Sequence, residues 1–245
     1  MKKSLYLLPN LFTSANLLFG FLSMIAASNG QYTQAALAIL VAVGLDAVDG
    51  KVARMTNSAS AFGLEYDSLA DLLSFGMAPG WLLYNWFLGS LGLFGWAASF
   101  VFVVCGALRL ARFNVQASHV QRYVFTGLPI PAAASVIAAA TLLGHDTTSP
   151  FHVLNADQPL GLVIAIYALA FLMVSKVRYR SFKKIRIKRI WSLPLVVGGT
   201  FVLIMLALMP ELSLFLLSLS YALSGPVETL IRRKKPEEDV IPAEQ

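Results

Sequence analysis

Eight stretches of about 20 mostly apolar residues fill this chain, each long enough to cross a bilayer core of roughly 30 Å. They run over 8–28, 32–54, 66–87, 92–113, 128–144, 158–177, 191–209 and 212–230. A spanning segment must satisfy its own backbone hydrogen bonds, so these stretches predict helices. With 57% hydrophobic and only 13% charged residues in 245, little polar surface is left for a soluble domain. The expected fold is an all-α integral membrane protein, a polytopic bundle of about eight transmembrane helices. It forms one transmembrane domain over 1–235, followed by a short charged, disordered tail over 236–245.

The basic residues orient the bundle. With Lys2 and Lys3 on the cytoplasmic side, eight crossings return the C-terminus there too. All 19 Lys and Arg then fall in cytoplasmic positions: Lys51 and Arg54, then Arg109, Arg112 and Arg122, then the run from Lys176 to Arg189, then Arg232 to Lys235. The opposite connections (29–31, 88–91, 145–157 and 210–211) hold none. This is the distribution that sets membrane orientation. It accounts for the net charge of +6 without nucleic acid, since basic juxtamembrane segments are drawn to anionic lipid. The Lys176–Arg189 run alternates apolar and basic residues in part, which suits an interfacial strand or short helix.

Cys105 stands alone inside the fourth stretch, which excludes an intramolecular disulfide and a cysteine metal cluster. Asn10, Thr13, Ser14 and Asn16 interrupt the first stretch, so it reads as a retained helix and not a cleaved signal. His119 reads as solvated. His145 and His152 fall in a connection on the opposite side and are read as doing no chemistry.

Carboxylates are the anomaly in so apolar a chain. Asp46, Asp49, Asp67 and Asp71 sit in the second and third stretches. An aspartate at the centre of a spanning helix costs about 2.5–3.5 kcal/mol on insertion scales, and such residues mark functional sites. Asp46, Asp49, Gly50, Ala53 and Arg54 fall at i, i+3, i+4, i+7 and i+8, one stripe of a helix. Gly63, Asp67 and Asp71 form a second stripe at i, i+4 and i+8. A short polar turn through Thr56, Asn57 and Ser58 makes the two helices antiparallel neighbours, so the stripes can face each other. Four carboxylates at close range require a cation. Their oxygens suit Mg²⁺, Mn²⁺ or Ca²⁺, and no Cys or His is present to favour zinc. Pairs of such ions, about 3.5–4 Å apart, are typical of phosphoryl chemistry. Gly50, Ala53 and Gly63 let a bulky ligand approach the backbone. Carboxylates, metal, small residues and one arginine together describe a diphosphate site.

Asp46-Ala-Val-Asp49-Gly50-Lys-Val-Ala53-Arg54, eight further residues, then Gly63-Leu-Glu-Tyr-Asp67-Ser-Leu-Ala-Asp71 resembles the full signature of the CDP-alcohol phosphatidyltransferases. Eight fixed residues across 26 positions make the pattern specific. The resemblance implies that Asp46, Asp49, Asp67 and Asp71 hold a divalent-metal pair, Mg²⁺ or Mn²⁺, on the diphosphate of CDP-diacylglycerol. It implies that Asp49, Gly50, Ala53, Arg54 and Gly63 cradle the CDP. Asp71 would be the general base toward the acceptor hydroxyl, with CMP leaving. Residue chemistry alone leaves open which aspartate binds metal and which takes the proton.

Outside the signature, four segments resemble the bacterial phosphatidylserine synthase branch of that family. They are Leu8-Pro-Asn-Leu-Phe-Thr13 through Gly20, Ser74-Phe-Gly-Met-Ala-Pro79, Arg109-Leu-Ala-Arg112-Phe-Asn114 and Phe125-Thr-Gly-Leu-Pro-Ile-Pro131. That resemblance implies L-serine as acceptor, a homodimer and a bacterial cytoplasmic membrane. Arg109 and Arg112, with Asn114, are candidates to bind the serine carboxylate, because arginine captures carboxylates in a bidentate fork. The other reading is that the two arginines snorkel as anchors. Glycerol 3-phosphate or an inositol phosphate is the alternative acceptor, and a divalent-cation carrier or a non-catalytic scaffold the alternative class. Carriers commonly repeat their site in paired halves, and residues 128–230 have no matching acids. A scaffold leaves the buried acids unexplained.

Gly76 and Gly80 form a Gly-x-x-x-Gly pair, read here as a packing seam within the bundle. Pro79 is expected to kink the third helix, and Pro129 and Pro131 to mark a helix start.

Overall fold

The computed structural model describes residues 7–55, 60–117, 124–145, 159–180 and 193–233. Several residues read above lie outside the described residues: Lys2, Lys3, Thr56, Asn57, Ser58, His119, Arg122, His152, the basic run beyond Arg180 and the tail over 236–245. The side chains of Ala53, Arg54 and His145 lie outside them as well.

Each of the eight apolar stretches has a helical counterpart. The helices are α1 (Leu7–Ser28), α2 (Tyr32–Met55), α3 (Ala61–Asp71), α4 (Ala78–Trp86), α5 (Leu93–Ala117), α6 (Ile130–His145), α7 (Pro159–Val174), α8 (Leu193–Leu208) and α9 (Pro210–Arg233). One π-helical turn, Leu72–Met77, joins α3 to α4, so the third stretch is a single rod with a widened turn inside it. Pro79 explains the widening. Proline brings no N–H and crowds the carbonyl of the preceding turn. Letting the N–H of Ala78 reach back five residues to the Leu73 carbonyl opens the helix just ahead of the ring. The rod also starts earlier than the apolar pattern, at Ala61, because the Ser60 side chain accepts a 3.0 Å bond from Gly63 N and caps it.

Two helices, Pro9–Ser28 and Leu93–Val115, are long and apolar enough to cross a membrane, and Ile130–Gly144, Gly161–Val174 and Val197–Leu208 are shorter apolar helices. Large side chains face outward along them, including Phe94, Phe171 and Leu203, each at least two-thirds exposed. Water would penalise that arrangement, whereas lipid tails would not.

Small residues set the interior. α6 lies against α2, α7 and α9, and its Ala133, Ala134, Ala138 and Ala139 are fully buried, so the helices approach closely there. A Cβ at Gly80 would lie 2.9 Å from Val103 on α5, and one at Gly106 would lie 2.6 Å from Ile130 on α6. Gly76 faces the same Ile130. The glycine pair is therefore an interior seam. A Cβ at Gly20 would overlap Ser74, which locks α1 to the π turn.

Among the described residues, the only sheet is a two-stranded antiparallel ribbon, β1 (Val124–Thr126) with β2 (Arg178–Arg180). The start of the alternating basic run is thus a strand. Gly127 follows β1 at φ +84, where a Cβ would overlap the Met173 carbonyl, so only glycine fits.

Candidate active site

The site grows from two helices and is braced by two more. On α2, the three-residue step from Asp46 to Asp49 puts both carboxylates on one face, and on α3 the four-residue step does the same for Asp67 and Asp71. The α2 and α3 faces meet. Asp46, Asp49 and Asp67 each offer a carboxylate oxygen, and these oxygens lie within 4.8 Å of one another. Asp71 is close enough to Asp46 for the two carboxylates to influence each other. Asp49 and Asp71 are buried, at 4% and 8% exposure.

From α1, the Thr13 hydroxyl reaches Asp49 Oδ2 at 3.2 Å, while also facing the Pro9 carbonyl at 3.1 Å. One turn along, Asn16 Nδ2 donates to Asp71 Oδ1 at 3.4 Å. The Ser74 hydroxyl in turn donates to the Asn16 carbonyl at 3.0 Å, which fixes that part of α1. From α5, Arg109 is 9% exposed and feels the charges of Asp71 and Asp46.

Electrostatically the cluster is incomplete. Arg109 supplies one positive charge against four carboxylates, and like charges this close in a dry setting repel strongly. Asp67 Oδ1 is buried without any hydrogen-bond partner. Convergent hard oxygens, with one of them orphaned, fit a divalent cation such as Mg²⁺, Mn²⁺ or Ca²⁺.

Next to this cluster, Gly50 is open among the described residues: a Cβ there would meet none of their atoms within 4 Å beyond its own helix turn. At Gly63 a Cβ would meet Ser60 Oγ at 3.1 Å and Asn10 Oδ1 at 3.6 Å. Ala53 and Arg54 continue the α2 backbone on the same stripe.

The three acceptor candidates separate. Arg109 turns to the acidic cluster, with its Nε buried and unpaired. Arg112 Nη1 donates at 2.7 Å to the Val174 carbonyl, in the last turn of α7, where a cation also complements the helix dipole. Asn114 bonds Ser68 at 3.0 Å and Glu65 at 3.5 Å on the side of α3. Arg112 and Asn114 thus tie α5 to its neighbours.

Sequence reasoning passed over Thr13 and Asn16 as site residues. A signal was available, since two polar residues at i and i+3 followed by Gly20 make a stripe inside an apolar helix. The local pattern does not say what that stripe faces.

The family profile described as CDP-alcohol phosphatidyltransferase matches residues 6–174, which spans α1 to α7. The chain is 40% identical over 193 residues to the CDP-diacylglycerol–serine O-phosphatidyltransferase of Helicobacter pylori, covering 79% of this chain and 78% of that protein. It is 32% identical over 177 residues to the Bacillus subtilis enzyme of the same description, covering 72% and 92%. An archaetidylserine synthase from Methanothermobacter thermautotrophicus is 34% identical over 183 residues, covering 70% and 69%.

Proposed function

Because the chain belongs to the CDP-alcohol phosphatidyltransferase family, we infer that it moves the phosphatidyl group of CDP-diacylglycerol onto the hydroxyl of L-serine, giving phosphatidylserine and CMP. The observation that carries the site assignment is the convergence of Asp46, Asp49 and Asp67, with Asp71 and Arg109 close enough to feel that cluster.

In this reading Asp46, Asp49 and Asp67, joined by Asp71 where a second ion is bound, hold Mg²⁺ or Mn²⁺. The bound metal supplies positive charge to the diphosphate and to the departing CMP. Gly50 leaves the α2 backbone open, and together with Asp49, Ala53, Arg54 and Gly63 it forms the bed for CDP. Asp71 takes the proton of the serine hydroxyl, acting as general base. The serine oxygen then bonds to the phosphorus carrying the diacylglycerol, and the bond from that phosphorus to CMP breaks. Arg109 holds the serine carboxylate, the role its buried and unpaired Nε suits. Arg112 and Asn114 support it by fixing α5 against α7 and α3.

The same reading has eight crossings with both ends cytoplasmic, in a bacterial cell membrane, with the acidic cluster near the cytoplasmic face. Two copies associate as a homodimer. The exposed apolar faces of α8 and α9, including Phe201 and Leu217, suit lipid or a second copy.

CMP release by detergent-purified protein tests this. CDP-diacylglycerol is supplied with Mg²⁺ or Mn²⁺ and L-serine, glycerol 3-phosphate or inositol phosphate, each with an EDTA control. Release that requires both metal and L-serine is expected. Release with a phosphate-bearing acceptor alone would discard serine while keeping the chemistry, and no release from folded protein would discard both.

A further inference from the structure

Asn16 is fully buried in the apolar first helix, and one side of its side-chain amide is engaged. Its Nδ2 donates to Asp71 Oδ1, and its backbone carbonyl accepts from Ser74. Its Oδ1 has no partner. Buried polar atoms almost always find one, so an orphan beside a reactive carboxylate calls for a ligand. The amide turns its NH₂ toward Asp71 Oδ1, so its oxygen faces away and leaves an acceptor on the α1 flank. On α5, Arg109 is coupled electrostatically to the same carboxylate, and its Nε is an orphaned donor.

One carboxylate is thus bonded by a residue with an unsatisfied acceptor and coupled to a residue with an unsatisfied cationic donor. The complement is a small molecule with a hydroxyl for Asp71, a cationic donor for Asn16 and an anion for Arg109. We propose that Asn16 reads the ammonium group of the acceptor, so that α1 selects a hydroxy amino acid over a plain alcohol. The proposal rests on the reading of Asp71 and Arg109 as the acceptor site. Three groups gripped around one carbon also discriminate its two mirror forms. An amide suits the position better than a carboxylate would: it donates to Asp71 and accepts from the ammonium without adding a fifth negative charge.

Asn16→Ala and Asn16→Ser are the test variants, the second keeping a polar group if the first does not fold. Incorporation of labelled L-serine into lipid gives its kcat and KM. Competition by 3-hydroxypropionate (no ammonium) and ethanolamine (no carboxylate) gives the inhibition constant of each. A hydrogen bond to a charged group accounts for about 10- to 100-fold in binding. Both variants should raise the L-serine KM and the ethanolamine constant by that factor. They should leave the 3-hydroxypropionate constant and the CDP-diacylglycerol KM within about twofold. Weakening of 3-hydroxypropionate as much as L-serine, or a fall in kcat with an unchanged serine KM, would overturn the proposal and reduce Asn16 to a support for Asp71. Wild-type protein that releases CMP with another acceptor but not with L-serine would instead remove the underlying reading, and this proposal with it.

Discussion

The hydroxyl of Tyr179 donates a 2.9 Å hydrogen bond to the carbonyl of Ala222, four residues before Pro226 in α9. In an unbroken helix that carbonyl would accept from the N–H of residue 226, which proline lacks. Tyr179, on β2 and 1% exposed, supplies the missing donor from another element. Gly225 makes the approach possible, since a Cβ there would sit 2.5 Å from the phenol ring. Tyr179→Phe strands a buried carbonyl and should cost about 1–3 kcal/mol, read as a lower unfolding temperature in detergent. Burial, reinforced by Tyr221, pushes the Tyr179 phenol from 10.0 up to about 12. The folded-state value is raised, so this contribution is complete below pH 10 and is lost as pH climbs toward 12. The difference between wild type and Tyr179→Phe should shrink across that window.

Asp71→Asn keeps the shape of the side chain and removes its ability to take a proton. Turnover should fall by about 10²- to 10⁴-fold, while CDP-diacylglycerol still binds in the presence of metal. Equilibrium binding beside CMP release separates the two effects. Turnover at the wild-type rate would remove Asp71 as the base.

Thr13 touches no substrate in this reading and acts through Asp49. A partner that orients a metal-binding carboxylate typically contributes about 10- to 100-fold in metal affinity. Thr13→Val should therefore raise the metal concentration needed for half-maximal CMP release by that factor, with saturating metal restoring most of the rate. A loss of rate that metal does not restore would argue against this role.

Glycines at different places should answer differently to a methyl group. Gly50→Ala meets no atom of another element among the described residues and replaces a poor helix former, so it should stabilise the fold by up to about 1 kcal/mol. The same methyl would enter the CDP bed and raise the CDP-diacylglycerol KM. Gly20→Ala drives into Ser74 and should destabilise the fold, with loss of activity following loss of folded protein. Thermal unfolding and KM measured on both variants check the pair.

Much of the acidic site was legible because it is local. Asp46 and Asp49, and likewise Asp67 and Asp71, share faces by helical spacing alone, and the short connection between the two helices makes them neighbours. Arg109 and Arg112 show where such spacing stops informing. They too are three residues apart, yet one turns to Asp71 and Asp46 and the other to the Val174 carbonyl. A guanidinium on a long stem goes where its partner is, and the partner belongs to another helix. Thr13 and Asn16 were visible only as interruptions in an apolar run, for the same reason.

Helices, their number and the pairing of the two acidic stripes follow from the sequence, because a backbone without water must bond within its own segment. Side-chain spacing on a helix is then fixed by 3.6 residues per turn. Tertiary structure decided the rest: the π turn ahead of Pro79, the ribbon at the start of the basic run, the carbonyl handed from Pro226 to Tyr179, and the approach of α1 to Asp49 and Asp71. Each joins residues tens of positions apart in the chain, apart from the π turn, where the packed rod chooses how to absorb a proline. Small residues at Gly20, Gly76 and Gly106 allow those meetings by letting backbones come close, and only the packed bundle shows which surface each one meets.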